Sequence, residues 1–415
     1  MRAFSTLLLI AALIPFTPPA AAAPGSPSAK TDAKIDAHQD SAPRHYGERG
    51  FYTHNGSTQN QSVLYVADSL DAAPRALLDP NMLSKSGSFA LKQWTVSDDG
   101  KYVAYGLSSA GSDWEEWHVL DVDTAKPTDD VLKRVKSSTT SWRRDGTGFF
   151  YSRYDEHGKD AADKIQRLYF HRLGDDQDDD LLIYENKDQP GWTFAAEVSD
   201  DGRWLIVRVA RGDGPDNLVL YRDLAKPYRQ KGEKKKTSKA AVPGPNVRNM
   251  QGKKIKTESV VTPIETLIGD WSAAWEFLGS TKNTLYFLTD ADAPRRRIVA
   301  IDIDNPAKAN WKEIVPQAKD MLQSARIVNR SLVAAYAQDA HSIVRTFDLK
   351  GKSLGDITLP GTGTVSDFSG RPRDQVVFYT FSSPSAPPAV YRYDLSLQSG
   401  GVWRAPETRP VRQDR

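Results

Sequence analysis

From Gly50 to Arg404 the chain reads as short apolar runs broken by polar turns. One unit recurs. Its first copy is Trp94-Thr-Val-Ser-Asp-Asp-Gly-Lys-Tyr-Val-Ala-Tyr105; further copies begin at Trp142 and Val198, and a degraded one at Leu278. The turns are Asp99-Gly100, Asp145-Gly146 and Asp201-Gly202, with Lys282-Asn283 standing in the fourth. Gly and Asn tolerate the positive φ that a tight hairpin turn requires. The run after each turn is rich in aromatic and β-branched residues, which favour strands. A second unit follows, an apolar run closing on aspartate: 117–121, 218–223, 298–302, 343–348 and 390–394, ending at Asp121, Asp223, Asp302, Asp348 and Asp394. No stretch of about 12 residues after Gly50 carries a capped helical period.

The Asp-Gly turns are spaced by 46 and 56 residues. Such a period, built of strands and turns, predicts propeller blades of about four strands each. Residues 50–404, at about 50 per blade, predict an all-β, seven-bladed β-propeller of four-stranded blades. In such repeats the turn aspartates are expected to cap turns and the Trp and Tyr side chains to pack between blades.

The chain has 415 residues and no cysteine, which excludes disulfides, thiolate zinc sites, iron–sulfur clusters and a cysteine nucleophile. The net charge of +2 points to no nucleic-acid partner. It hides an asymmetry: 226–256 holds 11 Lys/Arg against Glu233, leaving the rest at −8. With Tyr228 its only aromatic, this segment suggests a solvated insertion loop rather than a base-stacking surface. At the N-terminus, Arg2, an apolar run over 7–16 and small residues over 20–23 form a secretory signal pattern. The run is too short for a bilayer span of about 20 residues. Residues 1–23 are therefore expected to be a signal peptide, 24–49 a disordered leader and 405–415 a tail, with the protein periplasmic or secreted.

Several blocks resemble the propeller of the prolyl oligopeptidases. They are 50–66, from Gly50-Phe51-Tyr52 to Leu64-Tyr65-Val66; 78–84, Leu-Asp-Pro-Asn-Met-Leu-Ser; and 97–114, Ser-Asp-Asp-Gly-Lys-Tyr-Val-Ala-Tyr-Gly onward. Arg134-Val135-Lys136, Phe150-Tyr151 and Leu173-Gly174 extend the likeness along the whole repeat region. The resemblance implies a serine-type endopeptidase family acting on short peptides after proline. In it, an α/β-hydrolase domain carries the Ser-Asp-His triad and the propeller restricts access. It implies short proline-containing peptides as ligands; a hydrolase half on a separate α/β-hydrolase chain is one candidate partner. By that resemblance Phe150 falls where the family offers a phenylalanine to the substrate chain, and Trp192 next to where it lines the distal subsites, although Thr193 departs from the family's methionine; inter-blade packing is the alternative for both. The 415 residues hold no Gly-Gly-Ser-Asn-Gly-Gly and no strand–turn–helix nucleophile elbow. The chain alone is accordingly expected to be inactive, with no catalytic residue, metal or cofactor. A stand-alone secreted peptide- or protein-binding propeller is the alternative.

Three literal motifs carry less. Gly351-Lys-Ser353-Leu-Gly355 fits Gly-x-Ser-x-Gly, but a strand ending at Pro360 follows instead of a helix, which puts Ser353 in a hairpin. Asp175 to Asp180 lacks the glycine and glutamate of a calcium loop. The seven histidines share no ligand spacing; His118 and His171 alternate with apolar neighbours, as strand histidines do.

Overall fold

The computed structural model describes residues 39–56, 59–83, 89–109, 111–155, 165–226 and 263–406. The signal, most of the leader, the basic segment beyond Lys226 and the end of the tail lie outside the described residues. Seven antiparallel sheets form a ring, a seven-bladed propeller. Blades 1 to 7 occupy 39–78, 89–135, 141–185, 192–268, 275–315, 321–357 and 364–404. The only helical turns among the described residues are three 3-10 turns, Pro80–Met82, Gln177–Asp179 and Lys308–Asn310.

Within each of blades 2 to 7 the four strands follow in sequence order from channel to rim. The second strand is covered on both faces by neighbouring blades. That explains why it reads as a continuous apolar run rather than an alternating one: every residue of Gly148–Tyr154 is buried. The fourth strand lies at the rim and is mostly exposed, as in Ser353–Ile357. All five aspartate-terminated runs fall on third strands, and the aspartates cap the turns that follow. Asp121 accepts from Thr124 N at 2.8 Å, Asp348 from Lys350 N at 2.8 Å and Asp394 from Ser396 N at 2.8 Å. Gly100 and Gly202 take φ of 74° and 76° at their turns, where a side chain would be strained.

The aromatics pack between blades as expected. Trp204, 1% exposed, joins Trp275, Leu285 and Phe287 of blade 5 in one cluster, and its indole N–H donates to Lys282 O at 2.8 Å. Trp142 lies between Phe149 at 4.9 Å and Tyr102 at 6.4 Å.

The structure moves one boundary. The channel strand of blade 1 lies at Gln39–Asp40 and Arg44–Tyr46, inside the segment read as leader. Both pieces pair with Arg49–Asn55. They are short and polar, so no apolar alternation marks them. Each described sheet comes from one contiguous stretch, and side chains close the ring. Ala42 of blade 1 packs on Phe378 and Val390 of blade 7 and donates its N–H to Asp367 Oδ2 at 2.6 Å. Trp403 meets Tyr52 edge-on at 5.7 Å, while Arg404 bonds the Tyr52 hydroxyl.

Candidate functional site: the central channel

Because inner strands run in parallel round the ring, every connection from first to second strand emerges at one end of the channel. The doubled aspartates of Ser-Asp-Asp-Gly divide their work there. The second of each pair caps its own turn: Asp99 accepts from Lys101 N at 3.2 Å and Asp201 from Arg203 N at 3.1 Å. The first turns inward. Arg371, on the matching connection of blade 7, bonds Asp98 of blade 2 and reaches Asp200 of blade 4 at 2.8–3.0 Å. Arg373 adds a contact to Asp200 at 3.4 Å. Arg144 of blade 3 donates to Asp200 O at 2.6 Å. It can lie there because Gly202 has no Cβ, which would stand 2.7 Å from the Arg144 Cβ. Blades 2, 3, 4 and 7 are thus tied across one mouth. Arg371 also stacks 5.0 Å above Tyr46 of blade 1, and its N–H donates to Asp374. His45 of blade 1 faces the same Asp374 at 3.4 Å; that hydrogen bond outweighs burial and raises the imidazole pKa.

Behind this latch is a cavity of about 450 Å³ lined by Arg44, Glu276, Ser324, Arg326, Ser366 and Asp367, among others. Its acids are engaged: Glu276 with Arg296 at 3.2 Å, Asp367 with Ala42 N. Glu197, on the blade 4 inner strand, opens to the lumen but is walled in by protein. That enclosure, opposed by Arg326, aided by Glu276 and opposed again by Arg208, pushes its carboxyl up to about 7.

The two residues expected at the substrate are not brought together at the lumen. Phe150 is 2% exposed and packs on Phe170 at 5.0 Å, in the cluster that joins blade 3 to Phe194, Leu205 and Val207 of blade 4. Trp192 opens the inner strand of blade 4 at the end away from the latch, half-buried and edge-on to Trp271 at 5.4 Å. Arg211 lies 4.4 Å over Trp271. Replacing Phe150 with leucine is expected to cost about 1–2 kcal/mol in a thermal melt and leave peptide affinity unchanged. Lost affinity at full stability would return Phe150 to the ligand.

Ser353 begins the exposed rim strand Ser353–Ile357, so it stands just past the hairpin turn, with a strand and no helix after it. Asp180 of the acidic turn is taken by His171 and Tyr151, and Gln177 reaches across to Lys133 N at 3.1 Å. His118 bonds Glu116 at 3.1 Å and stacks on Tyr105.

A match to the prolyl oligopeptidase N-terminal β-propeller domain spans residues 26–406. The chain belongs to the prolyl oligopeptidase family. It is 30% identical over 377 residues to a prolyl endopeptidase of Elizabethkingia meningoseptica, covering 89% of this chain and 48% of that protein. A prolyl oligopeptidase A of Amanita bisporigera is 25% identical over 397 residues, with 88% and 48% covered. A structure from a mechanistic analysis of two prolyl endopeptidases superposes with a TM-score of 0.75 at 31% identity, over 90% of this chain and 49% of that one. The chain thus spans about half the length of the curated relatives it matches, and the matched part is the propeller of the prolyl oligopeptidases.

The latch escaped sequence reasoning. Arg371 lies 273 residues from Asp98, and nothing local links them. The available signal was the doubled aspartate: a turn needs one carboxylate as cap, so the other is spare.

Proposed function

We propose that this chain is the substrate-gating propeller of a serine-type endopeptidase that cleaves short peptides after proline. It has no hydrolytic activity of its own. The observation that carries this reading is the cross-channel latch on a prolyl oligopeptidase propeller: Arg371 bridges Asp98 and Asp200 across one mouth of the lumen, an arrangement that narrows entry there and suits a gate for short peptides. Its ligands are short proline-containing peptides, and its partner is an α/β-hydrolase unit that supplies serine, histidine and aspartate. The N-terminal signal pattern supports export to the periplasm or beyond; processing after residue 22 or 23 in an envelope fraction, read by N-terminal sequencing, checks it.

The purified chain is expected to release no p-nitroaniline from a Gly-Pro p-nitroanilide above the buffer rate. Removing a complete triad costs a factor of about 10⁶. Fluorophosphonate-sensitive turnover by these 415 residues expressed alone, with no other polypeptide in the preparation, would overturn the reading. The closed apolar seam at Ala42, Phe378 and Val390 favours a second reading, a propeller that binds peptides unaided. Peptide binding by the chain with no hydrolase present supports it.

A further inference from the structure

The lumen cavity contains two arginines whose guanidinium groups make no hydrogen bond or ion pair among the described residues. Arg326 projects from the inner strand of blade 6 and is exposed to the lumen. Arg44, from blade 1, lies with its guanidinium 4.7 Å over the Trp94 ring, which fixes its plane without using its donors. Both line the same cavity as the Ser324 and Ser366 hydroxyls, for which no partner is seen among the described residues. The nearby acids offset them only in part. Glu276 is bound by Arg296, and Asp367 accepts the Ala42 N–H that closes the ring. Counting Arg44, Arg326 and Asp367, the cavity carries one net positive charge, which suits a single negative charge better than a dianion. A guanidinium binds a carboxylate through two parallel N–H donors, and hydroxyls add further donors.

We propose that this cavity is a carboxylate site, in which Arg326 and Arg44 hold the C-terminal carboxylate of a short peptide inside the channel. This rests on the peptide-binding reading above and deepens it. It gives the lumen a direction: peptides are held by the C-terminal end, and a peptide blocked there is held less well. Glu197 places a carboxyl within electrostatic reach of Arg326 without bonding it. The groups facing it are Arg208, Glu276 and Arg326, with Arg296 behind Glu276. When Glu197 takes up a proton, a negative charge that acts on Arg326 through space is removed, so affinity for the acid rises as pH falls.

The test is calorimetric titration of the full chain with N-acetyl-Ala-Gly-Pro-Ala as the free acid and as the C-terminal amide, at pH 6 and 8. The acid is expected to bind about tenfold tighter than the amide, with the larger difference at pH 6. Arg326→Gln and Arg44→Gln each should abolish the preference, while Arg392→Gln, on the third strand of blade 7, should keep it. Glu197→Gln should remove the pH dependence. Unchanged melting curves separate a lost site from a lost fold. Equal affinities, or a preference that survives both arginine substitutions, overturn the carboxylate site while leaving peptide binding intact. Binding of neither peptide overturns both. Acetate should displace the acid peptide; inorganic phosphate displacing it better than acetate contradicts a monoanion site.

Discussion

Replacing His171 with alanine is expected to destabilise the propeller by about 3–5 kcal/mol, the cost of leaving buried charge without its partner. His171 is fully buried on the second-to-last strand of blade 3. Its Nδ1 meets Asp180 at 2.7 Å and its Nε2 meets Asp130 of blade 2 at 3.0 Å. Both carboxylates are themselves buried and further bonded, Asp130 by Gly174 N at 2.6 Å and by Thr128, and Asp180 by the Tyr151 hydroxyl. Burial would lower the imidazole pKa, but the two carboxylates outweigh it and push it to about 9. Both ring nitrogens therefore donate, and the group is an imidazolium at neutral pH. The pKa is raised above the unfolded value of about 6.5, so the contribution is complete below that pH and is lost as pH rises through about 9. A rise from 6.5 to about 9 corresponds to about 3 kcal/mol. Chemical denaturation across pH 6 to 10 should show this fall, and His171→Gln should flatten it. Glu197, raised to about 7, adds a fall in the same direction but at lower pH, so the two windows are separable. A flat profile over pH 7 to 9 in the parent chain would contradict the imidazolium assignment.

The second large effect is at Trp204. Its truncation to alanine should cost about 3–5 kcal/mol, since it empties a well-packed seam between blades 4 and 5. It also leaves Lys282 O without its indole donor at 2.8 Å and Arg203 without the ring 4.5 Å beneath it. Trp204→Phe keeps most of the volume and should recover much of that loss. A melting temperature within about 2 °C of the parent for Trp204→Ala would show that blades 4 and 5 do not depend on this contact.

These two residues also show what was legible in the chain. Trp204 follows an Asp-Gly turn in a repeat whose period can be counted, so strand, blade and burial all follow from local pattern. The same holds for the aspartates that end the third strands. His171 was readable as a satisfied strand histidine, but its partners were not, because Asp130 lies in the neighbouring blade, 41 residues away. The opening strand of blade 1 was missed, since Gln39–Asp40 and Arg44–Tyr46 need only pair with Arg49–Asn55 and carry no apolar face of their own. The channel was the least legible part. A propeller lumen is assembled from single residues of several inner strands, and Arg44, Glu197, Glu276, Arg326 and Asp367 belong to five different blades. Phe150 illustrates the converse: a likeness in sequence gives it a place at the substrate, while its burial in an inter-blade seam is a property only the fold displays.

The central claim is that this propeller serves a serine peptidase by controlling access of short peptides. The most direct measurement is to immunoprecipitate the propeller from its native cells under mild conditions and label the precipitate with a fluorescent fluorophosphonate. The account predicts a labelled serine hydrolase, on the propeller's own chain or bound to it, whose labelling is slowed by a short proline-containing peptide and not by a folded protein. A precipitate that contains the propeller and no labelled hydrolase would contradict it.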